Sequence, residues 1–363
     1  MNALGSSRLA VVGAPLLAVA VGAACGSSAA APAPAAADAG RDVADEDHRA
    51  PHPREEAGPQ EDWPTGPALL SQTGLYADFA ARKLSPDLVP FEPRYPFWTD
   101  GIEKTRYLHL PPGTKIDTSR MDHWVFPKGT KAFKEFRVGG KLVETRLLMK
   151  VKDEASRNFA WFEAPYVWRA DGSDADRVLD GLPDALGTGH AIPEQADCRN
   201  CHGDVVDVLL GVSAIQLSDP VKNPNAALWA AGRLTHQPPA GIEVPGTGNV
   251  KATLAYLHAN CGHCHNDEAV KLATQTKMRL RLLLSQKTPE DTGLFTTTVG
   301  TRMVHVAPDV TDVVVKGDPD HSGLYVRMGY RGGSETGAMP PSGTQIVDTA
   351  GRALVRQFIA DWK

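Results

Sequence analysis

Two pentapeptides decide most of what this chain can become. Cys198-Arg199-Asn200-Cys201-His202 and Cys261-Gly262-His263-Cys264-His265 both read C-x-x-C-H, and together with Cys25 they use all five cysteines of the 363 residues. No cysteine is left for a structural disulfide. The spacing is that of covalent haem c attachment: two thiols add to the haem vinyl groups as thioethers, and the following imidazole is held beneath the ring as an iron ligand. Two alternatives fit less well. Zinc sites of paired C-x-x-C units usually have about 15 to 20 residues between the pairs, whereas 59 separate Cys201 from Cys261, and zinc gives no reason for a His after each pair. A thioredoxin-like redox pair belongs to a βαβ alternation, and none is visible. The expected cofactors are two covalent haem c groups on Cys198, Cys201, Cys261 and Cys264, with His202 and His265 on the irons.

The N-terminus agrees with this chemistry. Arg8 precedes an apolar run from Leu9 to Ala24, shorter than the roughly 20 residues a bilayer span needs, so residues 1–25 read as an export signal. Its end, Val21-Gly22-Ala23-Ala24-Cys25, resembles the cleavage site of bacterial lipoproteins, in which the cysteine is lipidated; Gly22 stands where an aliphatic residue is usual. A plain signal peptide cleaved nearby is the alternative. Residues 26–62, rich in Ala and Pro and then in acidic residues, bury too little apolar surface to fold and read as a tether. Haem c attachment in bacteria takes place outside the cytoplasm, so the expected location is the periplasmic face of a membrane, held through a lipid on Cys25. A formal charge of −5 with 22% charged residues argues against nucleic acid as a partner and suits a basic redox protein.

The sixth ligand decides whether each iron is closed or open. For the second haem, Met339 in Ala338-Met339-Pro340-Pro341 stands 74 residues after His265, ahead of a helix whose Leu354, Val355, Phe358, Ile359 and Trp362 share one face. From about Thr253 to Lys363 the chain resembles a small cytochrome c domain. The resemblance rests on a helix bearing Leu254, Leu257 and His258 into Cys261–His265, on Lys316-Gly-Asp-Pro-Asp-His-Ser322, on Arg327-Met328, on Met339-Pro-Pro341 and on the terminal helix. In that family the Met before Pro-Pro is the distal ligand, which implies Met339 here; a core methionine at the haem edge is the alternative. For the first haem, His236 in Leu234-Thr235-His236-Gln237-Pro238 is the nearest downstream candidate, and Met149, His190, Met303 or no protein ligand remain open.

Upstream the pattern changes to strands. Ala132–Val138 and Lys141–Met149 flank Gly139-Gly140 and read as a hairpin, Asn158–Trp168 as another strand, and 13 of 24 aromatic residues fall between Tyr95 and Trp168. The expected fold is therefore α+β and multidomain: a β-sandwich-like domain over 63–190, a first haem segment over 191–250, and a cytochrome c-like domain over 251–363, the haem regions mainly helical. The span from about Gly74 to Lys363 also resembles a family of bacterial dihaem c-type cytochromes with a β domain ahead of the haem motifs. The matching pieces are Pro96-Phe-Trp-Thr-Asp100, Leu110-Pro-Pro-Gly113, Trp124-Val-Phe-Pro-Lys-Gly-Thr130, Glu144-Thr-Arg146 and Ile192-Pro193. That resemblance implies electron transfer outside the cytoplasm; an electron carrier is the leading expectation, and whether the chain is an enzyme stays open. A dihaem peroxidase with an open first haem is the alternative, and a β domain that docks a membrane oxidase or polymer is a third.

Overall fold

The computed structural model describes residues 64–153, 160–224, 228, 231–269, 276–307, 309–332 and 337–363. The chain divides into two compact units, Met1–Ala57 and Gly58–Lys363, and the described residues all belong to the second. The expected signal segment, the lipidation site Cys25 and the tether lie outside them, and among the described residues no helix is long and apolar enough to cross a membrane.

Among the described residues, ten strands and five α-helices follow in chain order. A small ribbon pairs β1 (Tyr76–Asp78) with β2 (Lys83–Leu84). A six-stranded antiparallel sheet then runs sequentially through β3 (Leu88–Pro90), β4 (Glu103–His109), β5 (Lys131–Val138), β6 (Lys141–Lys150), β7 (Trp161–Trp168) and β8 (Ala175–Arg177). The expected hairpin is its centre: Gly139 and Gly140 take φ of 56° and 80° between β5 and β6, a conformation open to glycine and costly for other residues.

Side chains alternate across such a sheet. One face places Phe133, Leu147, Ala164 and Tyr166 against Leu70, Leu75 and Tyr76. The opposite face packs Leu108, Ala132 and Trp161 against Val208, Val212, Leu217 and Leu234 from the segment after the first C-x-x-C-H. Both faces are therefore covered, which is why β7 reads as apolar almost throughout. A sandwich was expected from that aromatic richness; among the described residues the covering layers are loops, short helices and the β1–β2 ribbon instead of a second large sheet.

The C-terminal half carries α1 (Gln195–His202), α2 (Gly248–Asn260), α3 (Gly293–Thr297), a ribbon of β9 (Arg302–Ala307) and β10 (Val310–Asp312), α4 (Gly323–Arg327) and α5 (Thr349–Asp361). Long irregular stretches join these elements, so the content is mixed α and β. Helix α5 begins where Asp348 accepts a hydrogen bond from the Gly351 amide at 2.8 Å, and buries Val355, Phe358 and Ile359. It crosses α2 closely: a Cβ on Gly351 would stand 2.2 Å from the Tyr256 ring.

Candidate functional site

Helix α1 ends in the first pentapeptide, and its 3.6-residue turn sets Cys198, Cys201 and His202 on one side. The second pentapeptide reaches the same arrangement through a turn at the end of α2, where the amides of Cys264 and His265 donate to the Cys261 carbonyl at 3.1 and 2.8 Å. Gly262 fits this turn because a Cβ there would stand 2.6 Å from the His258 carbonyl oxygen and 2.8 Å from Arg281 Cα.

All six motif side chains line one cavity, together with Met339, His263, Phe97, Lys134, Arg146 and Glu163. Its volume is about 250 Å³, close to the lower end of the ~300–1,000 Å³ usual for small-ligand pockets. The four cysteines are free. Desolvation pushes the thiols of Cys198 and Cys261 up to about 12.

The two motifs touch. Cys264 Sγ donates to the Asn200 carbonyl at 3.3 Å, Asn266 Nδ2 donates to the Asp204 carbonyl at 3.1 Å, and the ligand atoms of Cys201, His263 and Cys264 lie within 4.8 Å of one another. Those three could by themselves hold a thiophilic ion such as zinc. The two motif histidines are also arranged as ligands. His202 Nδ1 lies 2.7 Å from the Val208 carbonyl, an arrangement that fixes the tautomer with Nε2 available as a metal ligand. Desolvation holds the pKa of His202 and of His265 down to about 4, so both are neutral at pH 7, the form a metal requires. His265 Nδ1 is buried without a hydrogen-bond partner among the described residues. These features fit iron ligation from both motifs.

Val208 is itself held firmly. Asp207 accepts from Lys150 Nζ at 2.7 Å, from the Phe126 amide at 2.6 Å and from Trp161 Nε1 at 2.7 Å. This anchors the loop on the sheet and supports a φ of 63° at Val208, a conformation that costs energy in a β-branched residue.

The sixth-ligand candidates separate cleanly. Met339 and Met303 line the cavity, as do Met278 and Met328. His236 does not. The backbone bridge between Ile116 and Leu234 carries it to the surface, where the Thr118 hydroxyl donates to its carbonyl at 2.7 Å and its exposed ring lies 3.1 Å from the Thr235 hydroxyl. His190 is buried 2.7 Å from Glu144 and stacks on Phe136. Met149 packs with the cluster on the far face of the sheet.

The sequence assigns no role in the site to four cavity residues, His263, Lys134, Arg146 and Glu163. His263 stands inside the second pentapeptide, where its position was a sufficient signal. Lys134 and Arg146 are charged residues alternating with apolar ones in β5 and β6, a pattern that ordinarily marks a solvated face. No protein family, no curated protein and no solved structure matches the chain.

Proposed function

We propose that this chain is an exported dihaem c-type cytochrome that passes electrons between periplasmic or membrane redox partners, tethered through a lipid on Cys25. The observation that carries the reading is the convergence of both C-x-x-C-H motifs on one cavity with His202 and His265 neutral. When bound, haem supplies reversible one-electron chemistry at iron. Cys198 and Cys201 would hold one haem and Cys261 and Cys264 the other. The Val208 carbonyl orients His202, and Met339, from the loop before α5, would join His265 in holding the second haem. Apolar walls that exclude water raise the potential, as does Met ligation. On this reading residues 191–363 would form the haem-binding region beside a β domain.

A second reading has its own observation. Glu163 lines the cavity, is buried, and acts electrostatically on Cys198. In a dihaem peroxidase with an open first haem it would be the proton-transfer group.

Intact mass and optical spectra of the exported protein test both. Two covalent haem adducts that ignore carbon monoxide support the carrier, and Met339→Ala should then keep both adducts while losing Met-type coordination. An unchanged spectrum would remove Met339 from the iron. Carbon monoxide binding to one haem, with peroxide turnover lost in Glu163→Gln, would favour the peroxidase. Zinc without haem would overturn both.

A further inference from the structure

The segment Pro96–Asp100 lies in the β half of the chain, just ahead of β4, yet it reaches the loop that carries Met339. The Asp100 carboxylate accepts from the Gln345 amide through both oxygens, at 2.9 and 3.0 Å, and from the Ile346 amide at 2.8 Å. Trp98 Nε1 donates to the Ile346 carbonyl at 3.1 Å, and Arg331 Nη2 donates to the same carbonyl at 3.1 Å. The backbone is shaped for this contact. Asp100 takes a φ of 52° and Gly101 one of 71°, a left-handed turn that among non-glycine residues Asp and Asn adopt most readily. The Ile102 amide closes the turn on the Thr99 carbonyl at 3.0 Å.

The same segment is tied to the second motif. The Trp98 amide donates to Asn260 Oδ1 at 2.7 Å, and Asn260 Nδ2 donates to the Pro96 carbonyl at 3.3 Å. Asn260 is the last residue of α2 and precedes Cys261. From the sheet, Lys104 Nζ donates to the Phe97 carbonyl at 2.9 Å. Five residues thus bridge the turn that carries Cys261 and the loop that carries Met339. That loop has little else to fix it. It holds no helix or strand between Met339 and α5, and Gly343, Gln345 and Ile346 are exposed, Ile346 by 58% although it is apolar. At its near end the Met339 amide donates to the Arg327 carbonyl at 3.0 Å, and Arg327 Nε donates to the Gly337 carbonyl at 2.6 Å. Helix α4 therefore fixes one end and Asp100 the other, and Met339, Ser342 and Thr344 between them line the cavity.

We propose that Asp100, supported by Trp98, is a positioning residue for the Met339 thioether, holding its loop to the segment that also braces the second motif. This rests on the dihaem reading above, with Met339 on the second haem. A carboxylate that accepts backbone amides makes charge-assisted hydrogen bonds, roughly twice as strong as neutral ones, so Asp100 is the principal tie at the far end of the loop. Without it the loop spends more time open, and the thioether competes less well for the iron.

The test is the optical spectrum of the full-length exported protein in the ferric state, titrated with imidazole, which competes with the thioether for iron. The readout is the imidazole concentration that halves the thioether-to-iron charge-transfer band. Asp100→Gly removes the carboxylate and leaves a residue that takes the positive φ freely. It should lower that concentration about tenfold, because losing hydrogen bonds to a charged group populates the open loop. Asp100→Asn, whose amide oxygen can still accept from both amides, should recover most of the wild-type value. Both haem adducts and the bands of the first haem should be unchanged in either variant. Trp98→Phe, with a smaller fall in the same direction, repeats the measurement if Asp100→Gly does not fold. Equal midpoints in wild type and Asp100→Gly would overturn the positioning role, as would a fall that Asp100→Asn does not recover. A wild type with two haem adducts and no such band would take Met339 off the iron and the positioning role with it. A wild type without haem adducts by mass would instead remove the reading beneath it.

Discussion

His258 illustrates how a single residue can be visible in the sequence while its role is not. It sits on α2 three residues before Cys261, and its place in the helix is evident from the neighbouring Leu254 and Leu257. Its buried Nδ1 accepts the Leu282 amide at 3.0 Å, a partner 24 residues away in a stretch without periodicity. Desolvation, with the charges of Arg281 and His263, lowers its pKa to about 3. An unfolded His titrates near 6.5, so between those values the unfolded chain binds the proton and the folded chain does not. The stability His258 contributes is therefore complete above about pH 6.5 and is lost as pH falls toward about 3. Denaturation midpoints measured from pH 7 to pH 4 should fall less steeply in His258→Asn, whose amide oxygen can still accept from Leu282, than in the wild type; equal slopes would contradict this. His236 fails for the opposite reason. Distance along the chain made it a candidate ligand, while a bridge formed by residues 116 and 234 fixes where it points.

Among elements, those specified locally were readable and those specified by distant pairing were not. Two glycines close β5 on β6, whose strands sit within a residue of where the sequence places them, and a 3.6-residue pattern writes out α5, which holds Leu354, Val355, Phe358 and Ile359 and ends just before Trp362. The loop from Gly203 to Leu210 has no such pattern and owes its shape to Asp207, whose partners Phe126, Lys150 and Trp161 come from 46 to 81 residues upstream. That network is a buried ion pair with two added hydrogen bonds, and the ammonium and carboxylate are both fully shielded. Removing one member of such a pair leaves the other charged and unpaired, at a cost of about 3–5 kcal/mol. Asp207→Ala should lose about that much in equilibrium unfolding, and Lys150→Met combined with it should recover part of the loss, because the orphaned ammonium is then gone. The single variant should also perturb the His202 site ahead of global unfolding, since the Val208 carbonyl orients that ring. Loss of stability below about 1 kcal/mol would mean that the loop is held by its apolar contacts to the sheet alone.

At the scale of the molecule, the sequence separates into a β stretch and two C-x-x-C-H motifs 59 residues apart, whereas the folded chain gathers them around one cavity. The sheet supplies a wall of that cavity through Lys134, Arg146 and Leu148, α1 and the end of α2 supply the cysteines, and the loop before α5 supplies Met339. No pattern within a single segment announces such a meeting, because it is made by contacts between segments: the Cys264 thiol on the Asn200 carbonyl and the Asn266 amide on the Asp204 carbonyl. The closeness has a consequence for the dihaem reading. With Cys201 and Cys264 in direct contact, two haems held there would lie close together, and electrons would pass between them over a short distance. Two ferric centres so near one another should couple magnetically. The EPR spectrum of the fully oxidised wild type should therefore be broadened or split relative to the sum of two single-haem proteins, Cys198→Ala/Cys201→Ala and Cys261→Ala/Cys264→Ala, and the coupling should vanish when one haem alone is reduced. A wild-type spectrum equal to that sum would mean that the two motifs draw apart once haem is attached, and that the contact between Cys201 and Cys264 belongs to the haem-free chain only.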